Sequence, residues 1–366
     1  MLNASRQDEV PVKMIEGKRH TLEGIQHLRG IAACMVVLSH VTAMARFPKY
    51  FGIDILNRFF ETGATGVELF FVISGFIIAY TSLSPDLVPK LTQHEFFKKR
   101  FVRIVPLMWI CIIGYAGLRY LGRGVFDPYP YLRALVLYPI GDVMPNIIWT
   151  LRHEALFYLV FCASWLAGRH WIYVMGAWFL SPLICFVLGI ATPPLTWAGF
   201  FFNKLNLLFG FGFTIAVMHL KGMINPVFNF KTIYIPALVS GVVLLIYAHE
   251  SQYVSDTYVR TVFDVLAIGV LCASIVILML MFFEQSRLSY GNRVLLLLGN
   301  ASYSIYLFHE FFISALLGVW SHYDRNAAAI NILAGTTLIA VIGSILVYYL
   351  IETPLLAMLS RLKQPS

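Results

Sequence analysis

The chain has 366 residues, of which 59% are hydrophobic and 13% charged, with a net charge of +8, and its mean hydropathy is +0.74. Such an apolar excess excludes an ordinary water-soluble domain. The basic residues stand at the ends of apolar runs instead of forming one face, which excludes a nucleic-acid interface and leaves the lipid bilayer as the chain's main partner.

A bilayer core about 30 Å thick needs about 20 apolar residues per helix, and runs of that kind fill nearly the whole sequence. The hydrophilic stretch Met1–Gln26 lacks the apolar core and cleavage site of a secretory signal, so the first span, 28–46, is expected to direct insertion itself. Further spans are predicted near 62–83, 104–121, 147–167, 171–190, 196–219, 233–249, 263–283, 297–320 and 327–351. Leu132–Ile140 is apolar but too short to cross, and is a candidate re-entrant or interfacial segment.

The expected fold is therefore an all-α polytopic bundle of about ten transmembrane helices. One transmembrane domain at 28–354 lies between cytoplasmic tails at 1–27 and 355–366. With both termini inside, 17 of the 27 Lys and Arg residues fall on the inner side, seven on the outer side and three within or at the ends of spans. That asymmetry is what the positive-inside rule asks for, and it accounts for the basic charge. The five cysteines, Cys34, Cys111, Cys162, Cys185 and Cys272, all lie in apolar spans without metal-ligand spacing and read as packing. There is no internal repeat or linker to divide the chain.

In so apolar a bundle, ionisable residues inside spans carry the information, because each costs about 2.5–3.5 kcal/mol at a helix centre unless it faces protein or water. His40, Glu68, Glu154 and His309 are the four that stand out. His40 follows Arg29 by eleven residues, which is about three helical turns, so both side chains share a face about 16 Å apart along the axis. Counted from the outer ends of their spans, His40, Glu68 and Glu154 fall at a similar depth of about 10 Å, with His309 slightly deeper. A second, basic layer of Arg29, Lys98, Lys99, Arg100 and Arg103 lies at the inner ends. Guanidinium groups so placed suit phosphate, although topology alone also puts basic residues there.

The sequence has no Gly-x-Ser-x-Gly elbow and no Gly-rich phosphate loop with its Lys. Neither His153-Glu154 nor His309-Glu310 continues into a two-His metalloprotease pattern, so no metal site is expected.

Six ordered blocks remain. They are Leu28-Arg-Gly-Ile-Ala-Ala with His40, Gly63-Ala-Thr-Gly-Val-Glu-Leu-Phe-Phe-Val-Ile-Ser-Gly-Phe76, Arg100-Phe-Val-Arg-Ile-Val-Pro106, Trp149-Thr-Leu-Arg-His-Glu154 with Phe157-Tyr158, Ser302-Tyr-Ser-Ile-Tyr-Leu-Phe-His309, and Ile351-Glu-Thr-Pro354. Over Leu28–Pro354 they make the chain resemble the acyltransferase 3 family of bacterial membrane acyltransferases, in particular the branch that O-acetylates exopolysaccharides. The resemblance implies a multi-pass protein of the bacterial cytoplasmic (inner) membrane. It would move an acyl group, usually acetyl from cytoplasmic acetyl-CoA, to a hydroxyl of a sugar or polysaccharide at or beyond the outer face. Acetyl-CoA is then a cosubstrate, no cofactor is permanently bound, and the polysaccharide export machinery is a further candidate partner. Arg29 and His40 match the family's signature pair. The family often shows two Arg residues separated by one residue, whereas two separate Arg100 and Arg103 here, which favours Arg103, beside Ile-Val-Pro, over Arg100. Some members add an extracytoplasmic hydrolase-like domain; none follows in this sequence, so direct transfer is the simpler scheme.

Acyl transfer from a thioester needs a base for the acceptor hydroxyl, donors for the oxyanion and positioning of both substrates. His40 is the expected base, with Glu154 or Glu68 orienting its ring and stabilising the imidazolium. Arg29 and Arg103, joined by Arg100, would hold the CoA phosphates. His309 and Ser74 are candidates for acceptor contacts or oxyanion donation, and Glu352 reads as a lock on a helix end. The rival from another class is a secondary transporter or flippase with a midplane polar site, which should show internal repeats and broken helices that are not evident here.

Overall fold

The computed structural model describes residues 12–55, 65–123, 127–224, 239, 241, 261–285, 293–325 and 327–361. Among them the chain is helical, without a strand. Its helices are α1 (Val12–Ala45), α2 (Thr65–Ser82), α3 (Gln93–Arg123), α4 (Tyr129–Leu135), α5 (Ile148–Ser164), α6 (Trp171–Val187), α7 (Trp197–Phe201), α8 (Asn206–Leu220), α9 (Val262–Gln285), α10 (Arg293–Asn300), α11 (Ser302–Tyr323), α12 (Ala329–Val347) and α13 (Thr353–Arg361).

Among the described residues eight stretches are long and apolar enough to cross a membrane, and one of them, Ile148–Val187, has 40 residues. At about 1.5 Å per residue that is about 60 Å, twice a bilayer core. It is two helices, α5 and α6, joined by a 3-10 turn at Trp165–His170, where Gly168 takes φ 55°, a conformation open to glycine because it has no Cβ. The polytopic all-α bundle is thus as expected, while the predicted span at 233–249 lies outside the described residues apart from Val239 and Gly241.

Local signals set several helix ends. Thr92 and Glu95 cap α3 reciprocally: Oγ1 of Thr92 accepts from the Glu95 amide at 3.3 Å and Oε2 of Glu95 accepts from the Thr92 amide at 2.9 Å. Thr261 and Asp264 do the same for α9, at 3.2 and 2.5 Å. Each pair satisfies donors that a helix start leaves open. Because of its cap, α3 begins at Gln93, well before the span start expected near 104, so Arg100 and Arg103 sit within the helix. Near the other end of the chain Pro354 has no N–H for the carbonyl of Leu350, and the helix widens to a π turn at Tyr348–Glu352 that leaves Glu352 only 1% exposed.

The central helix is α1, which packs against α2, α9, α10, α11 and α12. The closest crossing is that of α2 on α8. A Cβ on Gly212 would fall 1.8 Å from the Val72 carbonyl oxygen, and one on Gly75 would fall 2.2 Å from that of Phe209. Three apolar clusters fill the interior, and the Phe70 ring packs against all of them.

Candidate active site

Beside that junction lies a cavity of about 840 Å³ whose polar lining includes Arg29, Arg100, Arg103, Ser74, Glu154 and Tyr158. A second space of about 910 Å³ shares Arg29, Ile77 and Arg103 with it and opens between Gln26, Asn300 and Leu356. Arg29 and Arg103 therefore stand at the neck between a vestibule and an inner chamber.

The chamber is ordered by a small set of bonds. The hydroxyls of Ser74 (3.1 Å) and Tyr158 both donate to Oε1 of Glu154. Arg103 pairs with the buried Glu352 at 3.3 Å, whose other oxygen accepts from Ser304 at 2.6 Å. Arg29 donates to Gln26 at 3.2 Å, and Arg100 lies over the Phe96 ring, 5.7 Å from its centroid. Three guanidinium groups thus face two carboxylates, Glu154 and Glu352, and the neck keeps a net positive charge suited to phosphate.

His40 lies eleven residues further along α1, about 16 Å up the axis. It belongs to a different cluster. Nδ1 of His309 bonds the carbonyl of Ile305 at 3.0 Å, and its Nε2 meets Nδ1 of His40 at 3.0 Å. His40 Nδ1 also reaches the Val36 carbonyl at 3.0 Å. A carbonyl can only accept, so each Nδ1 carries a hydrogen, and the His309 Nε2 lone pair accepts from His40. The lone pair left over is on Nε2 of His40, 3.6 Å from Oε1 of Glu310. His309 is fully buried, whereas the His40 side chain is 33% exposed, which makes His40 the accessible end of the relay.

His40, His309 and Glu310 have the donor types of a metal site, with their ligand atoms within 4.8 Å of one another. The carbonyl bond on each Nδ1 and the ring-to-ring bond already account for three of the four ring nitrogens, so the cluster is organised as a hydrogen-bonded chain.

The cavity and the histidines meet at one wall. Tyr306 lines the chamber, its ring lies 6.2 Å from that of His309, and the Phe70 ring packs edge-on against it at 6.0 Å. The Tyr306 hydroxyl is fixed by the Ile147 carbonyl at 2.9 Å and by Thr150 at 2.6 Å.

Of the residues selected from sequence, Arg29, Arg100, Arg103, Ser74 and Glu154 line one cavity, and His40 and His309 touch each other. Glu68, buried in the first turn of α2, contributes to neither group among the described residues. The depth count set Glu154 level with His40, but the structure places it with the arginines, because α5 does not start at an end of the bundle. Ile147 and Thr150 meet Tyr306 in the interior, and the segment before them lies against the middle of α3, where the Trp109 indole donates to the Leu135 carbonyl at 2.9 Å. Leu132–Ile140 is accordingly part helix and part loop packed on α3.

The sequence reading did not select Glu310, Tyr158 or Tyr306 for the site. A signal for Glu310 was present, since it is an ionisable residue within a span and adjoins His309. Glu352 holds the start of α11 to Arg103, in keeping with the lock expected of it.

An intramembrane helix bundle with a basic chamber beside the middle of its central helix and an accessible imidazole three turns further along is built to suit a membrane-embedded group-transfer enzyme. The acyltransferase domain model of the acyltransferase 3 family matches residues 22–351, and the chain belongs to that family and is a multi-pass membrane acyltransferase. Its relatives include the exopolysaccharide production protein ExoZ of Rhizobium meliloti (strain 1021), 30% identical over 319 residues covering 81% of this chain and 90% of that protein. The acyltransferase MdmB of Streptomyces mycarofaciens is 25% identical over 384 residues, covering 93% of each. No solved structure matches the chain.

Proposed function

We propose that the protein O-acetylates an exported polysaccharide, moving acetyl from cytoplasmic acetyl-CoA across the bacterial inner membrane to a sugar hydroxyl. The observation that carries this reading is the shared face of α1, which holds Arg29 in a net positive chamber and His40 in a proton-accepting cluster. CoA phosphates would lie at Arg29, Arg100 and Arg103, and the pantetheine arm would extend about 16 Å along α1, past Phe70 and Tyr306, to bring the thioester to His40. The ExoZ relative, an exopolysaccharide production protein, supports an exopolysaccharide acceptor.

In this mechanism Nε2 of His40 takes the proton of the acceptor hydroxyl as its oxygen attacks the thioester carbonyl, and Glu310 stabilises the imidazolium that forms. His309 fixes the tautomer that leaves Nε2 free. Collapse of the tetrahedral intermediate breaks the C–S bond, and the CoA thiolate recovers the proton from His40. The carboxylate partner is then Glu310, in place of the Glu154 or Glu68 expected from depth. Glu154, held by Ser74 and Tyr158, would order the donor chamber.

The test is acetyl transfer from radiolabelled acetyl-CoA by purified, reconstituted protein, together with ester content of the surface polysaccharide in a deletion strain complemented by wild type or His40→Ala. His40→Ala is expected to abolish transfer while leaving insertion and acetyl-CoA binding intact. Full transfer by His40→Ala would overturn the base assignment, and the absence of any acetyl-CoA turnover by the wild type would return the bundle to the transporter reading.

A further inference from the structure

Arg152, in the second turn of α5, is only 7% exposed, and the acyl-transfer scheme gives it no part. Its Nη1 donates to the Gly141 carbonyl at 2.8 Å, but Nε and Nη2 are buried without a hydrogen-bond partner. A guanidinium taken out of water with two nitrogens idle costs more than one bond to a neutral carbonyl returns.

A second guanidinium is folded onto the same glycine. The loop after α4 turns back on that helix: the Tyr138 amide donates to the Arg133 carbonyl at 2.8 Å, and the Met144 amide to that of Pro130 at 3.3 Å. Between those bonds Gly141 takes φ 81°, and a Cβ there would fall 2.9 Å from Nη1 of Arg133. Glycine at this position therefore lets Arg133 lie against the backbone whose carbonyl holds Arg152. The two positive groups oppose each other, and Asp142 offsets part of the Arg152 charge. Asp142 is exposed, however, and among the described residues neither arginine has an ion pair.

Two like charges drawn to one glycine, with idle donors on the buried one, call for a shared counter-ion. We infer that a phosphate group binds between Arg133 and Arg152 and fastens the loop after α4 to α5. Guanidinium forks match phosphate oxygens in geometry and charge. Two sources can supply the group. One is the headgroup of a bilayer phospholipid, since Arg152 also lines a groove between α3 and α5 whose exposed rim includes Phe101 and Leu159. The other is free phosphate, reaching the site from the side of the exposed Asp142. In either case the bound group has a structural use. The loop ends at Ile147, whose carbonyl accepts from Tyr306 at 2.9 Å, so fastening the loop steadies the wall between the chamber and the histidines. The site is separate from the donor arginines and stands whether or not the acetylation reading holds.

The test is equilibrium binding to the full-length protein, stripped of lipid in a neutral detergent, with no acyl donor present. Radiolabelled phosphatidylglycerol and inorganic phosphate are the two probes, and the one that binds tighter identifies the source. Arg152→Gln should weaken that probe at least about tenfold and Arg133→Gln about threefold or more. Asp142→Asn removes a competing negative charge and should tighten it about twofold, a gain that no folding defect produces. Arg29→Met, in the donor chamber, should leave it unchanged. The tighter probe should also raise the unfolding temperature of wild type more than that of Arg133→Gln. Failure of both probes to bind, or displacement of phosphatidylglycerol by an equal concentration of diacylglycerol, would overturn the proposal. So would binding that is unchanged in both Arg133→Gln and Arg152→Gln, weakened by Asp142→Asn, or lost in Arg29→Met.

Discussion

Arg103 pairs with Glu352 in the structure and is proposed to face a donor phosphate, and substitution can separate the two roles. Its guanidinium lies 3.3 Å from Glu352, which is 1% exposed. At that separation the attraction is about 5 kcal/mol for an effective dielectric of 20. The Arg103 side chain is 34% exposed, so screening lowers this, to roughly 3 kcal/mol. Arg103→Met leaves a buried carboxylate with only the Ser304 hydroxyl, and should destabilise the protein by about 3 kcal/mol or more. Arg103→Met with Glu352→Gln removes both charges and keeps an acceptor for Ser304, so stability should return to within about 1–2 kcal/mol of wild type. Arg29→Met, which loses one bond to Gln26, should cost no more than about 1 kcal/mol. Acetyl-CoA affinity should follow a different order: Arg29→Met and the neutral double variant both weaken it about tenfold or more, since each lacks a phosphate-facing cation. The assays are unfolding of the detergent-purified protein by heat or SDS and calorimetric titration with acetyl-CoA. If Arg103→Met unfolds like wild type, or if Glu352→Gln fails to rescue it, the ion pair does not hold α11 and the π turn together.

Glu310→Gln should lower kcat by about 10²-fold with little change in acetyl-CoA affinity, because the imidazolium loses its counter-charge while the donor chamber is untouched; an unchanged kcat would show that His40 needs no carboxylate. Dialysis against a strong chelator should leave transfer unaltered, and a loss restored by added zinc would turn the His40, His309 and Glu310 cluster into a metal centre. Gly212→Ala places a methyl 1.8 Å from the Val72 carbonyl oxygen and should cost at least about 3 kcal/mol or prevent assembly, seen as loss of the monodisperse peak on size exclusion. Tyr306→Phe should cost only about 1 kcal/mol in the same unfolding assay, since Thr150 already donates to the Ile147 carbonyl at 3.1 Å and no polar group is stranded; a loss above about 3 kcal/mol would mean the hydroxyl is a keystone of the wall.

The multi-pass helical fold was legible because bilayer crossing demands long apolar runs, and the common face of Arg29 and His40 because helical periodicity fixes it within one element. The grouping of Arg29 with Arg100 and Arg103 followed from their positions near the starts of like-directed predicted spans, although the helices themselves begin earlier. Contacts between distant elements were not legible. His309 meets His40 across 269 positions of sequence, and Glu310 supplies its carboxylate, a choice that rotation of α11 decides and that no spacing encodes. The depth of Glu154 was misjudged because counting assumes that a helix starts at a membrane face, whereas α5 starts in the interior at Ile148. Glu352 depends on the π turn, whose widening turns the carboxylate toward Arg103 instead of following a regular helical register.

The separation of chamber and imidazole has a physical reason beyond packing. A continuous wet passage from Arg29 to His40 along α1 would let protons and ions leak through the bundle, and would expose the thioester to water throughout its transit. The structure closes that passage with apolar groups: Val36, 1% exposed, lies on α1 between the two polar residues, and Phe70 and Tyr306 pack together beside it. The chamber can therefore hold phosphate without an open route to the histidines. On the proposed mechanism, acyl transfer would then require the Phe70–Tyr306 pair to part only around the narrow thioester arm. On that mechanism, the barrier that protects the membrane and the one that protects the thioester are the same two rings.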